Sequence, residues 1–226
     1  MLTETETAKL NEDAAERTKM NLRVLVVGGG FLYCQMFYQA GFLGARNVED
    51  ADIICFTGGE DVDPSLYGEK PLPETFCNPD RDAAESIIYS EAVLLKKPMV
   101  GICRGSQFLT VMNGGKLWQD VNNHTRRHPV VDTRSGEVHQ NMTSTHHQMM
   151  RPGPSGEVLA VASQATSKRA EKETRETNDP VENSDVEAVW YADSRSLAFQ
   201  PHPEFGHGEC RNYFLELVDE FVVPAC

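Results

Sequence analysis

Short apolar runs in the first half of the chain are followed by glycine-containing turns. Residues 23–27, 52–56 and 98–102 are rich in Val and Ile. Continuous β-branched runs of this kind are typical of strands that are buried on both faces of a parallel sheet, whereas half-exposed strands alternate apolar and polar residues. The pattern therefore predicts three buried strands, and a further strand within residues 42–48 is weakly marked.

Between these runs the apolar residues recur at helical spacing. Residues 80–95 carry Ala, Ile and Leu on related faces of a helix, and residues 31–40 can form another helix that ends near Gly41. Strands that alternate with helices predict an α/β fold with a mostly parallel central sheet. In such sheets ligands bind outside the carboxyl ends of the strands, where we expect Gly58 and Cys103 to lie.

The second half of the chain is more irregular. Residues 158–161, 186–190 and 197–199 are candidate strands, and residues 163–185 form a charge-dense segment with almost no apolar side chains. That composition predicts a solvent-exposed insertion. Lysine and arginine are interleaved with glutamate in this insertion, which argues against a nucleic-acid-binding arm. Residues 1–20 are polar and charged, and they predict a flexible extension.

Composition is typical of a chain with one globular domain. The 226 residues are 40% hydrophobic, and we expect one domain over residues 21–226. The net charge of −13 argues against DNA or RNA binding, which needs a basic surface. No apolar run is long enough to span a bilayer, and the acidic start is unlike a signal peptide. The six cysteines form no CxxC pair, so we expect no structural zinc site, reduced thiols and a cytoplasmic location.

The most informative motif is the sequence Gly-Ile-Cys-Arg-Gly at residues 101–105. It lies between a predicted strand and a helix-like run, with Cys103 at the apex and a glycine two positions away on each side. This is the layout of a nucleophile elbow, in which a sharp turn lifts the reactive side chain out of the sheet. The unpaired N–H groups and the dipole of the helix start favour a thiolate. Cys103 is therefore a candidate nucleophile, and the alternative is a small buried hydrophobic residue.

A nucleophilic cysteine needs a general base and a group that orients this base. Of the seven histidines, His202 is distinctive because a proline flanks it on each side and Glu204 follows closely. The prolines predict an extended segment, in which residues two apart point to the same side. His202 and Glu204 can then face one cleft, with the carboxylate orienting the imidazole and stabilising its protonated form. The alternative is a solvated histidine in a surface turn.

Acyl transfer also needs hydrogen-bond donors for the oxyanion, and backbone N–H groups can supply them. The first candidate is the N–H of Arg104, directly after the nucleophile. The second comes from Gly58 or Gly59, where the absence of a side chain lets the backbone approach a substrate. We assign Gly59 to the oxyanion hole and Gly58 to substrate binding, although a glycine pair is also what an ordinary tight turn contains.

With these residues assembled, the chain resembles the class I glutamine amidotransferase superfamily, and within it the gamma-glutamyl hydrolase branch that includes the bacterial gamma-glutamyl-GABA hydrolases. The ordered combination of motifs is specific to the superfamily and does not define the substrate. The matching blocks are residues 57–69, Arg81-Asp82 with Glu85, residues 101–121, residues 144–148 and residues 200–204. The chain departs from the usual pattern at Thr57, where proline is common, at Pro201, where an aromatic residue is common, and in the short span before Asp52.

The resemblance implies a flavodoxin-like three-layer sandwich and a catalytic triad composed of the cysteine, histidine and glutamate candidates above. It further implies that a glutamyl thioester forms on the cysteine and is then hydrolysed, without a metal or a cofactor. By the same resemblance, Gln107, Thr145 and His146 bind the glutamyl group. A metal site built from His139, His146 and His147 is an alternative, although their spacing is not that of a zinc motif.

Two enzymatic functions fit these residues. The first is a free-standing hydrolase that cleaves the γ-glutamyl amide of glutamine or of a γ-glutamyl amine. The second is a glutaminase component that passes ammonia to a separate synthetase partner, and the lack of a fused synthetase domain in this sequence favours the first. A third, non-enzymatic function is a binding protein on the same scaffold, which would not need a cysteine, a histidine and a glutamate together. The sequence leaves the substrate and the oligomeric state open.

Overall fold

The computed structural model describes residues 21–122, 124–163, 184–206 and 208–226. Within these residues the chain forms an eleven-stranded sheet and four α-helices. The helices are α1 (Phe31–Gln39), α2 (Pro79–Leu94), α3 (Arg104–Met112) and α4 (Glu209–Leu217). The strands are β1 (Arg23–Val27), β2 (Leu43–Gly44), β3 (Ile53–Phe56), β4 (Met99–Ile102), β5 (Lys116–Trp118), β6 (His128–Asp132), β7 (Val138–Met142), β8 (Met149–Arg151), β9 (Gly156–Ala162), β10 (Val186–Tyr191) and β11 (Ser196–Phe199). Single 3-10 turns lie at Pro64–Tyr67, Pro203–Phe205 and Val223–Ala225, and a π-helical turn lies at Val218–Val222.

Five parallel strands form the part of the sheet that positions the candidate site. Their order, β2-β1-β3-β4-β11, is that of flavodoxin-like folds. Gly101 on β4 pairs with Phe56 on one side and with Ala198 on the other, so the strand before Cys103 is central. Beyond β11 the sheet continues with the antiparallel strands β10, β9, β6 and β7, while β8 pairs with β5 and β10. The predicted flavodoxin-like α/β fold is confirmed.

Two hydrophobic clusters, one on each face of the sheet, give the sandwich its three layers. Cys55 of β3 lies in the same cluster as Phe37 of α1 and Phe214 of α4. The next residue, Phe56, lies in the opposite cluster, with its ring centroid 5.1 Å from that of Phe108 on α3. Consecutive residues of a strand point to opposite faces. A strand with helices on both faces must therefore be apolar at every position, which is the run that the sequence shows.

The elements of the parallel half agree with the sequence predictions, whereas β5 to β8 and α4 were not predicted. These four strands are short, and each includes polar or charged residues, so no continuous apolar run marks them. Residues 1–20 and 164–183, which hold the predicted extension and most of the predicted insertion, lie outside the described residues. Asp185, at the end of that insertion, is buried rather than exposed because it pairs with His124. In the described part of the chain, no helix is both long and apolar enough to cross a membrane.

Candidate active site

Cys103 lies in a sharp turn between β4 and α3. Its φ angle is +53°, a left-handed conformation that is uncommon for residues other than glycine. A Cβ atom on Gly101 would overlap the backbone of Gly105, and a Cβ atom on Gly105 would overlap the carbonyl group of Phe56. The close approach of α3 to the strands therefore requires both glycines, as the elbow motif indicates.

The elbow is tied to the sheet and presents backbone donors at the start of α3. The N–H of Cys103 donates to the carbonyl oxygen of Phe199 at 3.0 Å, which joins the turn to the end of β11. The carbonyl oxygen of Cys103 accepts the N–H of Ser106 at 3.0 Å. Arg104 is the first helical residue, so its N–H has no acceptor within the helix and is available to a bound oxyanion.

His202 and Glu204 meet through a tight turn rather than through the extended segment that the sequence predicted. Pro203–Phe205 forms a 3-10 turn with Pro203 in the first position, where its missing N–H is tolerated. The flanking prolines therefore do not exclude a helical turn. Nδ1 of His202 lies 2.6 Å from Oε1 of Glu204, and both side chains are buried. The carboxylate thus holds the imidazole with its proton on Nδ1.

The imidazole of His202 also interacts with Cys103 and Thr145. Nε2 lies 2.9 Å from the hydroxyl of Thr145, and the ring lies beside Cys103, because both side chains flank Gly58. Burial disfavours the imidazolium ion, but the hydrogen bonds and charges of Cys103 and Glu204 outweigh it and raise the pKa of His202 to about 10. An imidazolium beside a cysteine is the arrangement that activates a thiol as a nucleophile.

The Gly58–Gly59 loop passes directly over this pair. A Cβ atom on Gly58 would lie 3.4 Å from Cε1 of His202 and 3.6 Å from the Cβ of Cys103. The N–H of Gly58 donates to the hydroxyl of Tyr33, on α1, at 3.1 Å. Gly59 is therefore the better candidate of the two glycines for an oxyanion donor. Tyr33 was not predicted, because in the sequence it is one aromatic residue among several in an ordinary helix.

One cavity of about 200 Å³ contains most of the predicted site residues. Its lining residues come from the glycine loop, the elbow, and the loop before β8. They are Gly59, Glu60, Asp61, Phe76, Cys103, Arg104, Gln107, Thr145, His146, His147 and Gln148. Pockets for drug-sized ligands are larger, roughly 300–1,000 Å³. The cavity therefore suits a small acyl group.

A buried ion-pair network connects the elbow helix to the glycine loop. The guanidinium of Arg104 pairs with Asp82 and Glu85 of α2, and all three side chains are buried. Glu85 also accepts a hydrogen bond from Nε of Arg81 at 2.8 Å. Nη2 of Arg81 in turn donates to the carbonyl oxygen of Gly58 at 3.1 Å. These side chains therefore position both ends of the candidate oxyanion hole, a role that the sequence did not indicate.

The predicted substrate-binding side chains differ in how far they are available. Nε2 of Gln107 donates to the carbonyl oxygen of Gln148 at 3.0 Å, which joins α3 to the loop that carries Thr145. His146 lines the cavity, but its imidazole is buried and stacks on His124 with ring centroids 4.9 Å apart. Burial lowers the pKa of His146 to about 3, so its ring is neutral. Its contact with a substrate stays a prediction.

The three histidines of the alternative metal site do not form one cluster. His139 stacks on Tyr213 with ring centroids 3.9 Å apart, and the partly exposed His147 lies 3.3 Å from Asp61. That alternative is therefore wrong. Among the described residues, a different group brings metal-ligating atoms together: His124, His128 and Glu187.

A comparison with protein families gives a match over most of the chain. The Peptidase C26 family matches residues 12–204, a span that includes Cys103, His202 and Glu204. The chain belongs to the Peptidase C26 family. Among relatives, the glutamine amidotransferase-like protein YvdE of Lactococcus lactis subsp. lactis is 32% identical over 173 residues, which cover 68% of this chain and 66% of YvdE. The C26 protein spans smaller shares of the other curated relatives that it matches.

Solved structures resemble this C26 protein in fold at low sequence identity. A protein of Thermoplasma acidophilum that is described as part of a GMP synthase has a TM-score of 0.58 at 15% identity, over 91% of this chain and 94% of that one. A glutamine amidotransferase of Thermotoga maritima has a TM-score of 0.55 at 15% identity, over 88% and 83% of the two chains. Together with the family match, these similarities support membership in the class I glutamine amidotransferase superfamily.

Proposed function

We propose that this C26 protein is a glutamine amidotransferase-type hydrolase that cleaves a γ-glutamyl amide through a thioester on Cys103. The observation that carries the proposal is the hydrogen-bonded pair of His202 and Glu204 beside Cys103, which lines a small cavity. A nucleophile, a base and an orienting carboxylate are the groups that covalent acyl transfer requires.

The reaction follows from the position of each group. The sulfur of Cys103 attacks the side-chain amide carbon of the substrate, and the N–H groups of Gly59 and Arg104 stabilise the oxyanion. His202 gives its Nε2 proton to the departing amine, and a thioester and a free amine result. The imidazole then takes a proton from water, and the resulting hydroxide attacks the thioester. Glutamate is released and the Cys103 thiolate leaves, so the starting pair of imidazolium and thiolate is restored. Glu204 stabilises the imidazolium in both steps.

The charges around the cavity favour an amino-acid head group as the substrate. Glu60 and Asp61 are acidic residues that line the cavity. Glu60 is paired with Arg81 at 3.0 Å, so Asp61 is the carboxylate that can bind an ammonium group. His147 lies 3.3 Å from Asp61, whose hydrogen bond raises the pKa of the imidazole. The protonated form of His147 can bind a carboxylate. A γ-glutamyl group carries both charges, so its binding energy can orient the side-chain carbonyl against the nucleophile.

An ammonia-delivering glutaminase is the second candidate. The observation that favours it is the similarity in fold to the Thermoplasma acidophilum protein described as part of a GMP synthase. In that case the chemistry on the cysteine is the same, but ammonia passes to a synthetase partner and activity depends on this partner. A non-catalytic binding protein is less consistent with the site, because it has no need for a buried imidazole held between a carboxylate and a thiol.

A substrate panel tests these functions. Glutamine, several γ-glutamyl amines and matched α-linked glutamyl peptides are assayed for amine release, with the Cys103→Ser variant as the blank. Cleavage of γ-linked compounds by the protein alone supports the hydrolase, and we expect no cleavage of α-linked peptides. Glutamine cleavage that appears only when host lysate is added supports the ammonia-delivering component. No cleavage under either condition rejects both enzymatic functions.

A further inference from the structure

Three histidines converge on one buried carboxylate beside the loop that carries Thr145. Glu187, on β10, has no exposed surface. Its Oε1 lies 2.9 Å from Nε2 of His128 and 3.3 Å from Nδ1 of His124, and its Oε2 lies 4.0 Å from Nε2 of His146. The ligand atoms of His124, His128 and Glu187 all lie within 4.8 Å of one another. These three ligands form the cluster, and Nε2 of His146 adds a fourth candidate ligand next to the other oxygen of the same carboxylate.

The second nitrogen of each imidazole is held by an oxygen acceptor. The pairs are Nε2 of His124 with Oδ2 of Asp185 at 3.0 Å, Nδ1 of His128 with the carbonyl of Arg126 at 3.2 Å, and Nδ1 of His146 with the carbonyl of Gln148 at 2.9 Å. Metal-ligating histidines have this arrangement, because the outer hydrogen bond fixes the tautomer and points the other nitrogen at the metal. The three rings are therefore oriented for a common ligand.

Two polar atoms at the centre of this cluster have no hydrogen-bond partner among the described residues. Nε2 of His146 and Oε2 of Glu187 are buried without a hydrogen-bond partner. Nδ1 of His146 carries a proton, because it donates to a carbonyl oxygen, so the neutral ring has its lone pair on Nε2. Two acceptors therefore face each other, which is costly in a buried place unless a cation or a water molecule lies between them.

We propose that His124, His128 and Glu187 bind a divalent transition metal, with Nε2 of His146 as the fourth ligand. Imidazole and carboxylate ligands in a set of four favour zinc. Three of the four side chains are buried and His128 is partly exposed. Four protein ligands make this a closed structural site, because a catalytic zinc keeps an open position for water or substrate. The proposal is independent of the thioester chemistry, in which the metal takes no part.

The position of the site gives the metal a structural consequence. His146 follows Thr145 directly, so a metal on His146 fixes the loop that holds the Thr145 hydroxyl against His202. Glu187 is also connected to the segment that carries His202, because its backbone carbonyl oxygen accepts the N–H of Gln200 at 2.8 Å. A bound metal therefore holds together the two segments that position the imidazole of His202.

The metal content of the full chain, purified without a histidine tag, tests the proposal. Elemental analysis should find about one transition-metal ion per chain, or the chain should take up one equivalent of added Zn²⁺. Replacement with Co²⁺ should give the intense visible absorption of a four-coordinate site. A chain that is free of metal and takes up neither ion overturns the proposal, and a water molecule then joins the two acceptors.

Three variants connect the bound metal to this cluster. Glu187→Gln should lose stoichiometric metal, and Asp185→Asn should weaken affinity about 10–100-fold by removing the negative charge from the acceptor for His124. His139→Gln is the matched control, because His139 is a buried histidine outside the cluster, and it should bind like the wild type. Full binding by Glu187→Gln, or an equal loss in the control, contradicts the assignment. If Glu187→Gln does not fold, the Co²⁺ spectrum of the wild type and the affinity of Asp185→Asn decide.

Discussion

The hydroxyl of Thr145 lies 2.9 Å from Nε2 of His202, the ring nitrogen that is left when Glu204 holds Nδ1. The imidazole therefore has a fixed partner on each nitrogen before any substrate binds. Thr145 comes from the loop before β8, whereas His202 and Glu204 come from the turn after β11. The orientation of the base thus depends on two segments of the chain that are far apart in sequence.

We expect the hydroxyl of Thr145, rather than its methyl group, to support turnover. Thr145→Val keeps the shape of the side chain but removes the hydrogen bond to His202, and kcat should fall about 3- to 10-fold, the value of one ordinary hydrogen bond. Thr145→Ser keeps the hydroxyl and should stay near the wild-type kcat. Steady-state kinetics on a cleaved γ-glutamyl compound checks this. Equal losses in both variants would show that packing, and not the hydrogen bond, is what matters.

The second prediction concerns the pair of His202 and Glu204. Removal of a general base typically costs about 10²–10⁴-fold in rate, so His202→Ala should lose activity in this range. Glu204→Gln keeps a hydrogen-bond acceptor but loses the charge that stabilises the imidazolium, and its loss should be smaller. Because the two residues act as a unit, the double variant should be no slower than His202→Ala. Full activity of His202→Ala, with loss of activity in His147→Ala, would show that the base is the wrong histidine.

The raised pKa of His202 gives a stability prediction with a definite sign. The pKa is about 10 in the folded protein against an ordinary value of 6.5. Below pH 6.5 both the folded and the unfolded chain hold the proton, and the full stabilisation is present. Between pH 6.5 and pH 10 the unfolded chain loses the proton first, so the stabilisation declines and is absent above pH 10.

Urea unfolding at a series of pH values measures this effect. The difference in the free energy of unfolding between the wild type and His202→Gln should be largest below pH 6.5 and should shrink towards pH 10. The other titrating groups are present in both proteins, so their contributions cancel. A difference that is constant from pH 6 to about 10 would contradict an imidazolium in the folded site.

The fourth prediction concerns the ion pairs behind the elbow. Glu85→Gln leaves the buried guanidinium of Arg104 without one of its two carboxylate partners, and the free energy of unfolding should fall by roughly 3 kcal/mol. Glu220→Gln is the matched control, because it breaks an exposed pair with Arg134 and should cost less than about 1 kcal/mol. Chemical denaturation of both variants checks this. Equal, small losses would mean that the buried network contributes little.

Features that depend on local sterics could be predicted from the sequence alone. The glycines on either side of Cys103 could be interpreted without the structure, because only glycine allows a helix to approach a strand so closely. His202 and Glu204 were found through their spacing, although the segment is a 3-10 turn and not an extended strand. Thr57, which stands where proline is usual, donates its hydroxyl to the carbonyl of Val27 and so joins the glycine loop to β1.

Features that depend on tertiary contacts could not be predicted from the sequence. Tyr33 reaches Gly58 from another helix, and no sequence spacing indicates this contact. The cluster around Glu187 joins His124 and His128 to a residue about sixty positions away. His128 lies on β6 and Glu187 on β10, and β9 separates these two strands in the sheet. The fold of the antiparallel strands decides which histidines meet, so the spacing of His139, His146 and His147 did not reveal the cluster.

Capture of the acyl-enzyme tests most directly whether a thioester forms on Cys103. The protein is mixed with a γ-glutamyl substrate, quenched in acid within the first turnover, digested and mapped by mass spectrometry, with Cys34→Ser as the matched control for an exposed cysteine. We expect one glutamyl group on the peptide that contains Cys103, and hydroxylamine should remove this group. The modification should be present in Cys34→Ser and absent in Cys103→Ala. A glutamyl group on another cysteine, or turnover by Cys103→Ala, would contradict this expectation.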